Sequence, residues 1–410
     1  MRIEGGERLK GRILISGAKN AALPILAASI LTEERCVIRR VPEINDVKSM
    51  LKVLCHLGAE AEWDNGVAAV KAGKLTAHEV PEYLMREMRA SNLVLGALLG
   101  REGRAVIAYP GGCAIGSRPM NLHFKGLATM GVRIEERYGF IYAEAKELHG
   151  AEIHLDFPSV GATENIMMAA VLARGQTIIS NAAKEPEIVD LQNFLLRLGA
   201  DISGAGSETI IIRGQKHLTG GEHTIIPDRI EAGTFMIAAA LTGGEIELED
   251  IKLEHLDAVR CKLEETGVNF HYQAGCLEVK SSGCIRPFDI RTAPYPGFPT
   301  DMQPQIMTLM TLAAGTSVLN ETVFEGRLKH VDELRRMGAD IAVERNIAVV
   351  RGVESLMGAN VEASDLRAGV ALVLAGLAAK GTTVVNGLQH IARGYENLTQ
   401  KLLSLGAKIS

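Results

Sequence analysis

One short phrase returns six times along this chain and limits what it can fold into. A helical run with leucine at its inner positions ends in a glycine, and a strand-forming pair follows. Leu195-Leu196-Arg197-Leu198-Gly199-Ala200-Asp201-Ile202 and Leu334-Arg335-Arg336-Met337-Gly338-Ala339-Asp340-Ile341 are two of the copies. The marker glycines are 58, 131, 199, 267, 338 and 406, spaced 68 to 73 residues apart. Glycine at that place suits a helix that ends in the left-handed conformation. A fixed period of this length marks a repeated supersecondary unit. Ahead of the phrase most copies carry a glycine and a β-branched strand, as in Gly175-Gln176-Thr177-Ile178-Ile179. Ahead of that lies an Ala-rich helix, expected at Thr163–Ala173, Gly233–Leu241, Gln303–Ala313 and Leu366–Ala379. Each copy therefore reads βαβαββ, and the class is α/β with right-handed crossovers.

The last copy stops at Ser410 before its closing strand. Met1–Gly5 is similar to Val349–Gly352, and Gly11–Ile15 to Ala359–Glu362, so both N-terminal strands are expected to complete the C-terminal copy. Six copies then divide into two lobes of three. One lobe is expected from 1–18 with 228–410, and the other, inserted, from 19–227.

At 410 residues the chain exceeds one ordinary core. A net charge of -5 with no long basic run argues against nucleic acid and anionic membrane as partners. Met1–Glu7 lacks the apolar core of a signal peptide, and the longest apolar runs are too short to span a bilayer. A cytoplasmic location is expected. None of the six cysteines forms a C-x-x-C pair, so neither zinc, nor any other metal, nor a disulfide framework is expected. Cys113 stands apart. It lies between glycines in Tyr109–Pro119, five residues from Arg118, where a guanidinium favours the thiolate. Such a loop suits closure over a ligand; the plain alternative is a glycine-rich turn with an incidental cysteine.

Polar residues gather just before each central helix: Ser16–Asn20, Met88–Ser91, Ser159–Glu164, Pro227–Glu231, Phe298–Gln303 and Ser364–Arg367. Singly, each reads as a helix cap. Six at equivalent places also present positive helix ends, which attract anions. Lys19, Arg89, Arg118, Arg229, Arg327, Arg367 and Arg393 add charge there. A doubly anionic small substrate is expected.

These segments carry a resemblance. Ser16–Pro24, Pro110–Pro119, Asn181–Asp190, Phe298–Gln303, Asp365–Ala368 and Arg393–Glu396 are similar to motifs of the UDP-N-acetylglucosamine 1-carboxyvinyltransferase family, from end to end of the chain. The resemblance implies a fold of two inside-out α/β barrel-like lobes, each of three repeats. It implies transfer of the enolpyruvyl group of phosphoenolpyruvate to the 3-hydroxyl of UDP-N-acetylglucosamine, with loss of phosphate, early in peptidoglycan synthesis. It implies no cofactor, and a monomer is expected.

By the same resemblance Lys19, Arg118 and Arg393 hold the phosphate and carboxylate of phosphoenolpyruvate, with Asn20, Arg327 and Arg367 beside them. Asn20 meets the reacting hydroxyl. Cys113 delivers the proton to the methylene carbon and is the residue the epoxide antibiotic fosfomycin alkylates. Asp301 sits near the 3-hydroxyl. Arg89, Arg118, Pro119, Met120, Asn121, Leu122, Pro158, Ser159, Val160, Gly161, Asp301 and Val323 contact the UDP-sugar. Asn121 and Phe157 stand where many members carry Asp and Lys, which puts the detail of nucleotide contacts in doubt. Two rival readings are the sister enzyme that acts on shikimate 3-phosphate, which lacks the Cys113 loop, and a non-catalytic paralogue that keeps the sugar site.

Overall fold

The computed structural model describes residues 1–88, 92–109 and 120–410. Its contacts divide the chain into two units. The terminal unit comprises Met1–Ser16 and Pro227–Ser410; the inserted unit comprises the described residues of 17–226.

The inserted unit has three four-stranded sheets. In one, Glu152–His154 runs parallel to Gln176–Ser180, with Ile153 opposite Ile179. Thr209–Arg213 then pairs antiparallel with Gln176–Ser180 and with its hairpin partner Asp201–Ser203. Glu79–Val80, Arg104–Ala108, Arg133–Arg137 and Phe140–Glu144 repeat that order. The third sheet, Arg35–Arg39, Glu60–Asp64 and Val67–Lys71, takes its opening strand from the far end of the unit, where Gly221–Thr224 pairs parallel with Arg35–Arg39. Along these strands side chains alternate between buried and exposed, as a sheet covered on one face requires.

The helices Lys19–Ala28, Val94–Glu102 and Val160–Ala170 fill the middle. Every residue of the first except Asn20 is buried. A helix apolar on all sides belongs inside. Two of these helices approach closely at Gly96, where a Cβ would lie 2.2 Å from the Asn165 carbonyl oxygen, so only glycine fits.

The terminal unit repeats the plan with Arg229–Thr242, Gln303–Met310 and Leu366–Ala378 at its centre and three four-stranded sheets around them. Its N-terminal strands divide between two sheets. Arg2–Glu4 closes the C-terminal copy, antiparallel to Thr382–Asn386 and to Lys408–Ile409, as expected. Lys10–Leu14 does not join it. It opens the copy of Glu245–Glu249, pairing parallel with that strand. The reason is topological: the copy built on Arg229–Thr242 has no other strand to precede its helix. Ser16, where the chain leaves this unit, is fastened by charge. Its N–H donates to Glu231 Oε2 at 2.7 Å and its hydroxyl to Glu396 Oε2 at 2.6 Å, while Lys401 Nζ donates to both Ser16 Oγ and Glu231 Oε1.

All six marker glycines have φ between 91° and 103°, the left-handed conformation that their place in the repeat requires. Helices inside and sheets outside, three copies to a unit, make each unit an inside-out α/β body. Among the described residues no helix is long and apolar enough to cross a membrane. No group of three or more His, Cys, Asp or Glu side chains is placed to hold a metal among them.

Candidate active site

In the inserted unit Lys19 opens its helix after Ala18, which is extended and gives no side-chain cap. A buried lysine there opposes the helix dipole and loses its hydration. Asp46, in the first turn of Asn45–His56 and 3% exposed, compensates: its Oδ2 lies 2.7 Å from Lys19 Nζ. Asn20, half-buried, follows in the same turn.

Two of the segments assigned to the nucleotide sugar, Asn121–Leu122 and Pro158–Gly161, meet in this unit. Met120 is fully buried. Asn121 is exposed and Leu122 half-buried at the start of Asn121–Thr129. Pro158, Ser159, Val160 and Gly161 are half-buried at the start of Val160–Ala170, where Ser159 accepts the Ala162 N–H. His123 and Asn165 tie the two starts together. Asn165 Nδ2 donates to His123 Nδ1 at 3.1 Å and to the Gly161 carbonyl at 3.2 Å, and its Oδ1 accepts the Gly96 N–H at 2.6 Å. Phe157 is exposed beside them. Arg89, Cys113, Arg118 and Pro119 lie outside the described residues.

In the terminal unit three expected residues form one constellation. Asp301 accepts from Arg327 Nη2 through Oδ1 and from Arg367 Nη2 through Oδ2, both at 2.8 Å. The two arginines are each 4% exposed. Burial pushes the Asp301 carboxyl up, but Arg367 and then Arg327 more than reverse this and hold it well below the usual carboxylate range. Arg327 Nη1 also donates to Thr300 Oγ1, which donates to Glu321 Oε2. Glu321 Oε1 accepts the backbone N–H groups of Val323 and Phe324, which sets the Val323 turn. His330 Nδ1 bonds the Arg327 carbonyl at 3.1 Å; burial pushes this imidazole down to about 4, so it is neutral and its proton is on Nδ1. Arg393 is half-buried in the turn after Leu388–Ile391. Two residues on, the Tyr395 ring lies 5.5 Å from the Arg367 guanidinium carbon.

Sequence reasoning missed Asp46, Glu321, His123 and Asn165. Asp46 and Glu321 carry no local signal beyond an acid near a helix or strand end. His123 adjoins an expected contact run yet points inward.

A carboxylate held ionised can accept a proton, and the two fixed guanidiniums beside it can orient an anion. Residues 3–402 match the family model described as EPSP synthase (3-phosphoshikimate 1-carboxyvinyltransferase). The chain is 55% identical over 407 residues to UDP-N-acetylglucosamine 1-carboxyvinyltransferase 1 of Carboxydothermus hydrogenoformans, covering 99% of this chain and 97% of that one. It is 50% identical to the UDP-N-acetylglucosamine 1-carboxyvinyltransferase of Geobacter metallireducens, covering 99% and 98%. Among solved structures, the enolpyruvyl transferase NikO from Streptomyces tendae superposes with a TM-score of 0.89 at 27% identity, covering 100% of this chain and 98% of NikO. EPSP synthase from Acinetobacter baumannii shares the fold, with a TM-score of 0.76 at 19% identity and coverage of 100% and 98%. With relatives this similar along its whole length, and a fold of inside-out α/β units to match, the chain belongs to the UDP-N-acetylglucosamine 1-carboxyvinyltransferase family of enolpyruvyl transferases.

Proposed function

We propose that this protein transfers the enolpyruvyl group of phosphoenolpyruvate to the 3-hydroxyl of UDP-N-acetylglucosamine and releases phosphate, the step that commits carbon to peptidoglycan. The observation that carries this reading is the full-length likeness to relatives of that name. The Asp301 constellation supplies a chemical reason for it.

The reaction is an addition followed by an elimination. An alcohol is a poor nucleophile and must lose its proton as it attacks. Asp301, ionised at every working pH, takes that proton. Paired to two guanidiniums it is a weak base. An anionic substrate that draws Arg327 or Arg367 toward itself raises its basicity at the moment of use. Lys19, Asn20, Arg118 and Arg393 serve phosphoenolpyruvate, and Cys113 serves the methylene carbon and its proton. Pro158–Gly161, with Asn121 and Leu122, serves the nucleotide sugar, its starts held in register by His123 and Asn165. The protein works in the cytoplasm as a monomer.

The description of the family model favours a second reading, transfer to shikimate 3-phosphate. Phosphate release from phosphoenolpyruvate separates the two. Release that depends on UDP-N-acetylglucosamine supports the first reading, and release that depends on shikimate 3-phosphate overturns it. Intact-mass analysis after fosfomycin treatment reports on Cys113: one adduct, lost in Cys113→Asp, is expected, and an unmodified chain counts against the role given to that thiol.

A further inference from the structure

Tyr395 sits in the Arg393–Glu396 motif, and nothing so far gives it a task. It is 4% exposed. Its hydroxyl lies 2.8 Å from Thr234 Oγ1 and accepts from Gln305 Nε2 at 3.3 Å. Thr234 already donates its one proton to the Ile230 carbonyl at 2.8 Å, so the tyrosine is the donor in their bond. The hydroxyl is thus pinned from both sides, by side chains of the helices Arg229–Thr242 and Gln303–Met310. The ring is held as a platform facing the guanidinium of Arg367, on the third central helix, Leu366–Ala378. That guanidinium in turn donates to Asp301. A cation placed against an aromatic face is attracted to it, more so when both are desolvated. Without the ring, Arg367 keeps its charge and loses one wall of its site.

We propose that Tyr395 is a positioning residue: through its ring it fixes the Arg367 guanidinium against Asp301, and so sets the angle and proton affinity of the carboxylate that receives the 3-hydroxyl proton. The proposal rests on the reading in which Asp301 takes that proton. Arg367 and Arg327 are charged groups that bear on Asp301, and Asp228 bears on Arg367 and Tyr395.

The test uses the full chain, assayed for phosphate release with phosphoenolpyruvate and UDP-N-acetylglucosamine from pH 9 down to the acid limit of folding, so that the acid limb set by Asp301 is within reach. Tyr395→Phe keeps the ring and frees its edge; Tyr395→Leu removes the platform. Turnover is expected to fall roughly 3–10-fold in the first and roughly 10–100-fold in the second, the scale of a misplaced reacting group. The acid limb of kcat/KM is expected to move to higher pH in both, because a looser Arg367 lowers the Asp301 carboxyl less. A purely structural tyrosine would lower the melting temperature and leave turnover and the pH profile alone, and that result in folded variants overturns the proposal. If the leucine variant does not fold, the phenylalanine variant decides by itself on the same criterion. Asp301→Asn is the control. Its full activity would sink the reading of Asp301, whereas its inactivity beside wild-type kinetics at Tyr395 would sink only the role given to the tyrosine.

Discussion

The two units share one plan and start their central helices differently. In the terminal unit carboxylates stand at the starts. Asp228 accepts the N–H groups of Ile230 and Glu231, and Asp365 those of Arg367 and Ala368. Asp301 precedes Gln303–Met310. In the inserted unit Ala18 and Leu93 give no side-chain cap, and Ser159 makes one bond of 3.4 Å. Charge there comes from Lys19 instead. The comparison shows that an acid before an Ala-rich helix is two things. Asp228 and Asp365 each give one oxygen to two backbone N–H groups. Asp301 gives both oxygens to guanidiniums. One pattern in the sequence hides a structural role and a chemical one.

The largest test of that difference is Asp301→Asn. Turnover is expected to fall about 10²–10⁴-fold, because the amide cannot accept the proton; steady-state phosphate release reads it. A loss confined to stability would make Asp301 a cap-like residue after all. Next is the inserted unit's counterpart. Lys19→Met leaves Asp46 buried without its ammonium, and urea denaturation should show a loss of about 3–5 kcal/mol. Adding Asp46→Asn should recover part of that stability and none of the turnover.

A smaller effect has the opposite sign. Glu164, 4% exposed, is raised well above the ordinary value of 4.5, first by burial and then by Glu187 and Glu185. A group raised on folding costs nothing below its unfolded pKa and destabilises as pH climbs toward the folded one. Glu164→Gln is therefore expected to be more stable than the parent at pH 8 and nearly equal to it at pH 4. Asp301, depressed on folding, runs the other way: its contribution is present above the unfolded pKa and lost only as pH falls through the folded one. Chemical denaturation at the two pH values separates them. Smallest are the caps. Asp365→Ala should cost about 1 kcal/mol and Ser159→Ala about 0.5 kcal/mol, since one accepts two N–H groups and the other one at long range. Equal losses would erase the contrast between the units.

The repeat was plain in the sequence because each copy must end a helix at a left-handed glycine, and six glycines at one spacing leave a trace. The central helices were plain because they are apolar all round. The sheet joined by Lys10–Leu14 was not, since pairing partners 235 residues apart leave no local mark. The same holds at the site. Arg327, Arg367 and Asp301 were named singly, and their convergence is a property of the fold. Asp46 and Glu321 escaped notice because a buried partner looks, in one dimension, like any acid.

The pairing of Arg2–Glu4 with strands near residues 382 and 408 has a consequence for synthesis. On the ribosome the inserted unit has all its strands once Gly221–Thr224 emerges. The first sixteen residues must then wait, tethered to a finished neighbour, for partners not yet translated. At about 5–20 residues per second the remaining 184 residues take roughly 10–40 s. For that interval the nascent chain carries Arg2–Glu4 unpaired, open to misassembly and to capture by a chaperone, while Lys10–Leu14 waits only for Glu245–Glu249.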